Sequence, residues 1–149
     1  MLNLTELIGF GVGGGDAHLY WRLRLTAGSG AFFTMYEVEF RASAGGVDQC
    51  SGGTAFASYS NPSYPPANAF DNNGGSLWTT SRQLVGDYIG YQFAAPVSVQ
   101  QAGYTSYGVG PCDGLILEYS DDGTTYTPYG EWTGLADTFV SGAINLLTV

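Results

Sequence analysis

From Leu19 onward the chain alternates apolar and polar positions with a period of two. Trp21, Leu23 and Leu25 interleave with Tyr20, Arg22, Arg24 and Thr26, which predicts a strand with one core face and one wetted face. In residues 35–42, Val38 and Phe40 alternate with Glu37, Glu39 and Arg41 in the same way. Ile89, Tyr91 and Phe93 alternate with Tyr88, Gly90 and Gln92, and Pro96 is expected to close that strand. Val97 and Val99 open another strand running towards Tyr107. Leu115, Leu117 and Tyr119 alternate with Ile116, Glu118 and Ser120; Asp121-Asp122-Gly123 then turns the chain, and residues 124–127 read as the return strand of a hairpin. A short strand of small residues starts at Thr54, and residues 138–146 read as the last strand. No segment carries a helical stripe longer than a turn or two. Short, regularly spaced, mostly antiparallel strands define the expected class: an all-β antiparallel sandwich or jelly roll.

Composition narrows this further. The 149 residues suit one domain, and 44% hydrophobic against 11% charged residues marks a folded chain. The 23 glycines and 11 tyrosines favour strands joined by tight turns. Net charge is -9, and the basic residues are four dispersed arginines, Arg22, Arg24, Arg41 and Arg82. That balance argues against nucleic-acid backbones and anionic membrane surfaces as partners. Residues 1–10 lack a basic n-region, and Glu6 interrupts their apolar run, so neither a signal peptide nor a membrane insertion is expected. Residues 1–18 read as a docking segment followed by a Gly-rich linker, four glycines in five at 11–15, and residues 19–149 as the sandwich. Cys50 and Cys112 could pair, but two cysteines do not make a disulfide framework; free, partly buried thiols are the default.

The run from Thr54 to Trp78 carries most of the candidate chemistry. Phe70, Asp71, Asn73 and Ser76 span a Gly-rich turn whose side-chain and backbone oxygens suit one hard cation, a structural calcium. It is not an EF-hand loop, because the twelfth position counted from Asp71 is Arg82. The same residues also make a metal-free Asx-turn. A ligand surface is expected on loops at one end of the sandwich: Tyr59, Asn61 and Tyr64 on the first, Arg82 and Gln83 on the next, Tyr107 and Asp113 on a third. Aromatic rings and planar polar groups together match the C–H faces and hydroxyls of a sugar. Tyrosines on Pro-rich loops also serve to order those loops or to contact other proteins, and Arg82 has the alternative of a surface salt bridge. With His18 the only histidine, no nucleophile elbow and no clustered cysteines, neither a hydrolase triad nor a zinc site is supported. Asp121 and Asp122 are adjacent on a hairpin tip, which suits turn chemistry better than paired-carboxylate catalysis. No enzymatic activity is expected.

The order Ala67-Asn68-Ala69-Phe70-Asp71-Asn72-Asn73, then Trp78, then Tyr88-Ile89-Gly90-Tyr91-Gln92-Phe93, then Leu117-Glu118-Tyr119-Ser120-Asp121-Asp122-Gly123 resembles the discoidin, or coagulation-factor C-type, domain. The likeness spans residues 52–146. It implies a galactose-binding-like β-sandwich in which Trp78 packs inside and Glu37 supplies an acidic ligand to the Asp71 turn. In that family a strand like 20–25 and a segment like 36–40 close the domain, whereas here they come first. The order implies a circular permutation, with residues 19–42 packed in the same sandwich as 138–146. Permuted domains with a short N-terminal lead are similar to bacteriophage virion proteins of tails, fibres or head decorations. The resemblance therefore implies a non-enzymatic component of the virion exterior, contacting host-surface polysaccharide through its loops and docking by residues 2–10 to other virion proteins or to its own copies. The alternative is a purely structural decoration protein whose loops touch protein.

Overall fold

A computed structural model describes residues 16–106 and 112–149. The described residues form ten strands: β1 (His18–Gly28), β2 (Thr34–Met35), β3 (Glu37–Arg41), β4 (Thr54–Ala57), β5 (Trp78–Thr79), β6 (Tyr88–Val97), β7 (Gln101–Thr105), β8 (Cys112–Ser120), β9 (Thr127–Thr133) and β10 (Asn145–Thr148). A 3-10 turn at Pro66–Phe70 and one helical turn, α1 (Leu135–Thr138), complete them. A five-stranded sheet in the order β4-β6-β1-β8-β9 packs on a three-stranded sheet in the order β10-β7-β3, and β2 and β5 form a separate two-stranded ribbon. Every ladder is antiparallel. The molecule is an all-β sandwich, as the alternation of its strands requires.

The periodicity translates directly into the core. Trp21, Leu23 and Leu25 from β1 meet Ile89 and Phe93 from β6 and Leu115 and Leu117 from β8. The opposing sheet contributes Val38, Phe40, Ala102, Tyr104 and Leu147. Burial of each such side chain is worth about 1.5–3 kcal/mol before entropy is counted. Residues 19–42 run through both layers: β1 is the middle strand of the large sheet, and β3 pairs with one edge of β7 while β10 pairs with the other.

Five details of the alternation pattern do not survive folding, the first being that Val97 closes β6 and does not open the next strand, which starts only at Gln101. The expected wet face of β8 is covered: Ile116, Glu118 and Ser120 are only 7%, 3% and 2% exposed. Arg22 and Arg24 both ion-pair with Glu118, and the rings of Tyr88 and Tyr126 lie over the Arg22 guanidinium. Pro96 does not end β6, which continues to Val97, because it falls where the β1–β6 register shifts and no ladder N–H is needed there. The return strand β9 starts at Thr127 and not at Thr124, because the Asp122 carboxylate accepts the N–H groups of Thr124 and Thr125 and holds them in the turn. The final strand is Asn145–Thr148, later than residues 138–146; upstream, Asn145 binds the backbone of Val140 and Ala143 through its side chain and fixes a bend.

Both cysteines are free and buried, and burial pushes the Cys112 thiol up to about 12 and Cys50 further still. Neither is poised as a nucleophile at neutral pH. Asp121 does more than shape a turn: its carboxylate meets His18 Nδ1 at 3.0 Å, and the His18 ring stacks on Tyr119 at 3.6 Å. This pins the start of β1 to the β8–β9 hairpin. Residues 1–15, including the expected docking segment, lie outside the described residues, as does Tyr107.

Candidate functional site

The β2–β5 ribbon is only two residues wide, but it decides what faces solvent. Met35 pairs with Trp78 and Thr34 with Thr79. Period-two alternation sends the first pair inward, fully buried, and the second outward. The threonine hydroxyls share a hydrogen bond of 2.7 Å. Phe33 and Trp78 pack edge to face with centroids 5.4 Å apart, which places Trp78 in the core. Trp78 Nε1 donates to the Tyr59 carbonyl at 2.8 Å and so ties the aromatic loop to the ribbon.

Above this ribbon opens a groove of about 470 Å³, a size in the usual range for small-ligand sites. Its aromatic walls are Phe32, Tyr36, Tyr59 and Tyr64. Phe32 is 54% and Tyr64 43% exposed, large for rings that could have packed inward. Thr34, Thr79, Ser81 and Asn61 supply its polar groups. Asn61 Oδ1 accepts the Ser63 N–H at 2.9 Å, and Tyr64 N–H bonds back to the Asn61 carbonyl at 2.9 Å, so the loop tip is closed on itself. That leaves the Asn61 amide NH2 and the phenols of Tyr59 and Tyr64 without partners among the described residues, available to a ligand.

The groove thus gathers three of the expected ligand residues, Tyr59, Asn61 and Tyr64. The others lie elsewhere. Arg82 is exposed beside the groove residue Ser81, with no ion pair among the described residues. Gln83 tucks its amide against Gly28, where an added Cβ would come within 2.4 Å of Nε2. Asp113 borders a separate depression with Gly28, Ser29 and Asp137, and accepts the Ala136 N–H at 3.3 Å. Phe32, Tyr36, Thr34 and Thr79 were missed by sequence reasoning. A usable signal was the Phe32-Phe33 pair next to a strand, where one ring must face out if the other faces in.

At the acidic turn the hydrogen bonds are those of an Asx-turn. Asp71 Oδ1 accepts the Asn73 N–H at 3.0 Å, Asn73 Oδ1 accepts the Gly75 N–H at 3.0 Å, and Ser76 Oγ donates to Asp71 Oδ2 at 2.7 Å. Asn72 takes a left-handed conformation, φ 55°, to close it. Glu37 approaches from β3. One of its oxygens, Oε1, is buried with no hydrogen-bond partner among the described residues. Burial and the neighbouring Asp71 charge push its carboxyl up to about 7, against the pull of the Asn73 and Asn72 N–H groups. A buried, unpartnered carboxylate oxygen on a side chain that feels the charge of a second carboxylate suits a hard cation. The fit is uneven, since the Asn73 and Ser76 side chains are already engaged in the turn and only two carboxylates converge. No cluster of three His, Cys, Asp or Glu side chains occurs among the described residues.

No protein-family model matches the chain, and neither a curated protein nor a solved structure is found to be similar to it. Among the described residues no helix is long and apolar enough to cross a membrane.

Proposed function

We propose that this chain is a non-catalytic recognition module, a discoidin-like, galactose-binding-like jelly roll carried on the exterior of a bacteriophage virion, which contacts host-surface polysaccharide. The observation that carries the reading is the groove: four aromatic side chains and a set of hydroxyl and amide groups around one open space. Ring faces suit the C–H surfaces of sugars, and planar amides and hydroxyls suit their hydroxyl groups. Placement within the discoidin class draws on the quoted motifs and on β3 and β10 flanking the same strand. The virion location draws on the resemblance. Docking to other virion proteins or to further copies would raise weak single-site binding through avidity.

A structural calcium belongs to the same reading. Glu37 and Asp71 would hold it, with carbonyl oxygens of the turn from Phe70 to Ser76, and it would neutralise the paired carboxylates. Thermal unfolding is expected to shift upward with calcium over EDTA in the wild-type chain and not in Glu37→Gln; equal midpoints would remove the metal from the account. For the main reading, the purified chain should bind host polysaccharide saturably, and Tyr59→Ala and Tyr64→Ala should weaken that binding. Attachment unchanged in both variants would reject the groove as its site.

The rival reading, a structural decoration protein, is favoured by a different observation. Val140, Ile144, Leu146 and Val149 are all exposed around β10, an edge strand of the small sheet. Such apolar edges suit contact with protein. A large buried β10 surface in the particle, with no glycan bound by the free chain, would select it.

A further inference from the structure

Resting on the glycan-binding reading, we infer that the groove selects neutral sugars and excludes sialylated, uronic-acid and sulfated ones, and that it does so without calcium. No side chain lining the groove is charged. Its polar groups are hydroxyls and an amide, the complement of a sugar that carries only hydroxyls. A carboxylate or sulfate brought into the groove would shed water and gain no cationic partner, a cost that neutral hydrogen bonds do not recover.

The charges outside the groove point the same way. Three of the four arginines are spent inside the fold: Arg22 and Arg24 on Glu118, and Arg41 on Glu39. The fourth, Arg82, follows the groove residue Ser81 but does not itself line the groove. After Tyr36 the chain enters β3 with Glu37, on which the Asp71 charge acts, and the whole chain carries a net charge of -9. An anionic ligand would meet repulsion from the net charge at long range and no cationic partner in the lining itself. What remains is ring stacking and hydrogen bonding to neutral hydroxyls. The acidic turn, which is where calcium would sit, contributes no side chain to the lining.

The test is titration of the full chain with neutral gluco- and galacto-oligosaccharides, and with sialylated, glucuronate-containing and sulfated counterparts. Saturable binding to at least one neutral series is expected, with affinity changing less than about twofold between roughly 0.05 and 0.5 M NaCl, since no ion pair is made. EDTA is expected to leave it unchanged. Phe32→Ala should weaken it about tenfold, the scale of losing one stacking face, and Phe32→Tyr should restore it. Because Phe32 is exposed, its truncation leaves the core intact, and unchanged thermal unfolding will verify that. Binding confined to acidic glycans, or lost in EDTA or high salt, would overturn the inference while leaving glycan recognition standing. Binding of neither class would overturn the inference and the wider reading together.

Discussion

On the outer face of the five-stranded sheet, Tyr88 and Tyr126 lie over the Arg22 guanidinium with its carbon 4.4 and 3.6 Å from their ring centroids, whereas at the β2–β5 ribbon Tyr59 and Tyr64 line open space. Both surfaces are rich in tyrosine. In the first, the rings cover a charge already paired with Glu118, and Phe56 and Tyr20 close the flank at 6.1 Å from each other. The charged groups there are spent on one another, and the rings on covering them. In the second, the rings surround neutral polar groups with unspent hydrogen-bonding capacity. The difference teaches that a tyrosine-rich surface becomes a candidate site through what it leaves unpaired and open, and that residue type alone does not make it one.

The comparison breaks most easily at Glu118. Glu118→Ala strands two arginines on a covered face and should cost about 3 kcal/mol in chemical denaturation, as removal of one partner of a buried pair does. The same change should leave glycan binding by the folded fraction untouched. Acid acts on this pair as well. Burial alone would raise the Glu118 carboxyl, but hydrogen bonds from Arg24 and Arg22 outweigh it and hold it below its ordinary value. Its contribution is therefore present above the unfolded-state value near 4.5 and is lost as pH falls through the lower folded value. Glu37 has the opposite sign. Folded, it keeps its proton up to about 7, whereas unfolded it releases it near 4.5, so stability from this group declines as pH rises across that interval. Denaturation curves at several pH values should show Glu118→Gln flattening the acid limb and Glu37→Gln flattening the decline towards neutrality.

Trp78→Phe is expected to act next in size. It keeps most of the buried ring but loses the bond to the Tyr59 carbonyl, for about 1 kcal/mol of stability, and it should weaken ligand binding by loosening the loop. Phe32→Ala sits at the bottom of the stability scale, within about 0.5 kcal/mol of wild type for an exposed side chain, yet it should have the larger effect on binding. Reversal of that ranking would mean that the groove is a packing feature.

Much of the fold was legible because alternation is a local signal. Trp21, Leu23 and Leu25, and likewise Val38 and Phe40, occupy the core that their spacing marks. The covered face of β8 was not legible, since Glu118 is held by Arg22 and Arg24 of β1, 96 and 94 positions away in the chain. The start of β9 was missed for a nearer reason: Asp122 competes for backbone N–H groups that a strand would use. Of the candidate site, Tyr59, Asn61 and Tyr64 share one loop, so the sequence grouped them. Phe32 and Tyr36 reach the same groove only because β2 pairs with β5, a contact between residues more than 40 positions apart. Arg82 and Asp113 looked equally suited by type, and folding puts Asp113 at a different depression and leaves Arg82 outside the lining.

The most direct measurement is a backbone and aromatic NMR titration of the folded chain with a neutral oligosaccharide. Saturable shifts confined to Phe32, Tyr36, Tyr59, Asn61, Tyr64 and Thr79, with Tyr88 and Tyr126 unmoved, are the expected result. Shifts centred on Tyr88 and Tyr126, or none at any residue of the groove at saturating sugar, would contradict the account.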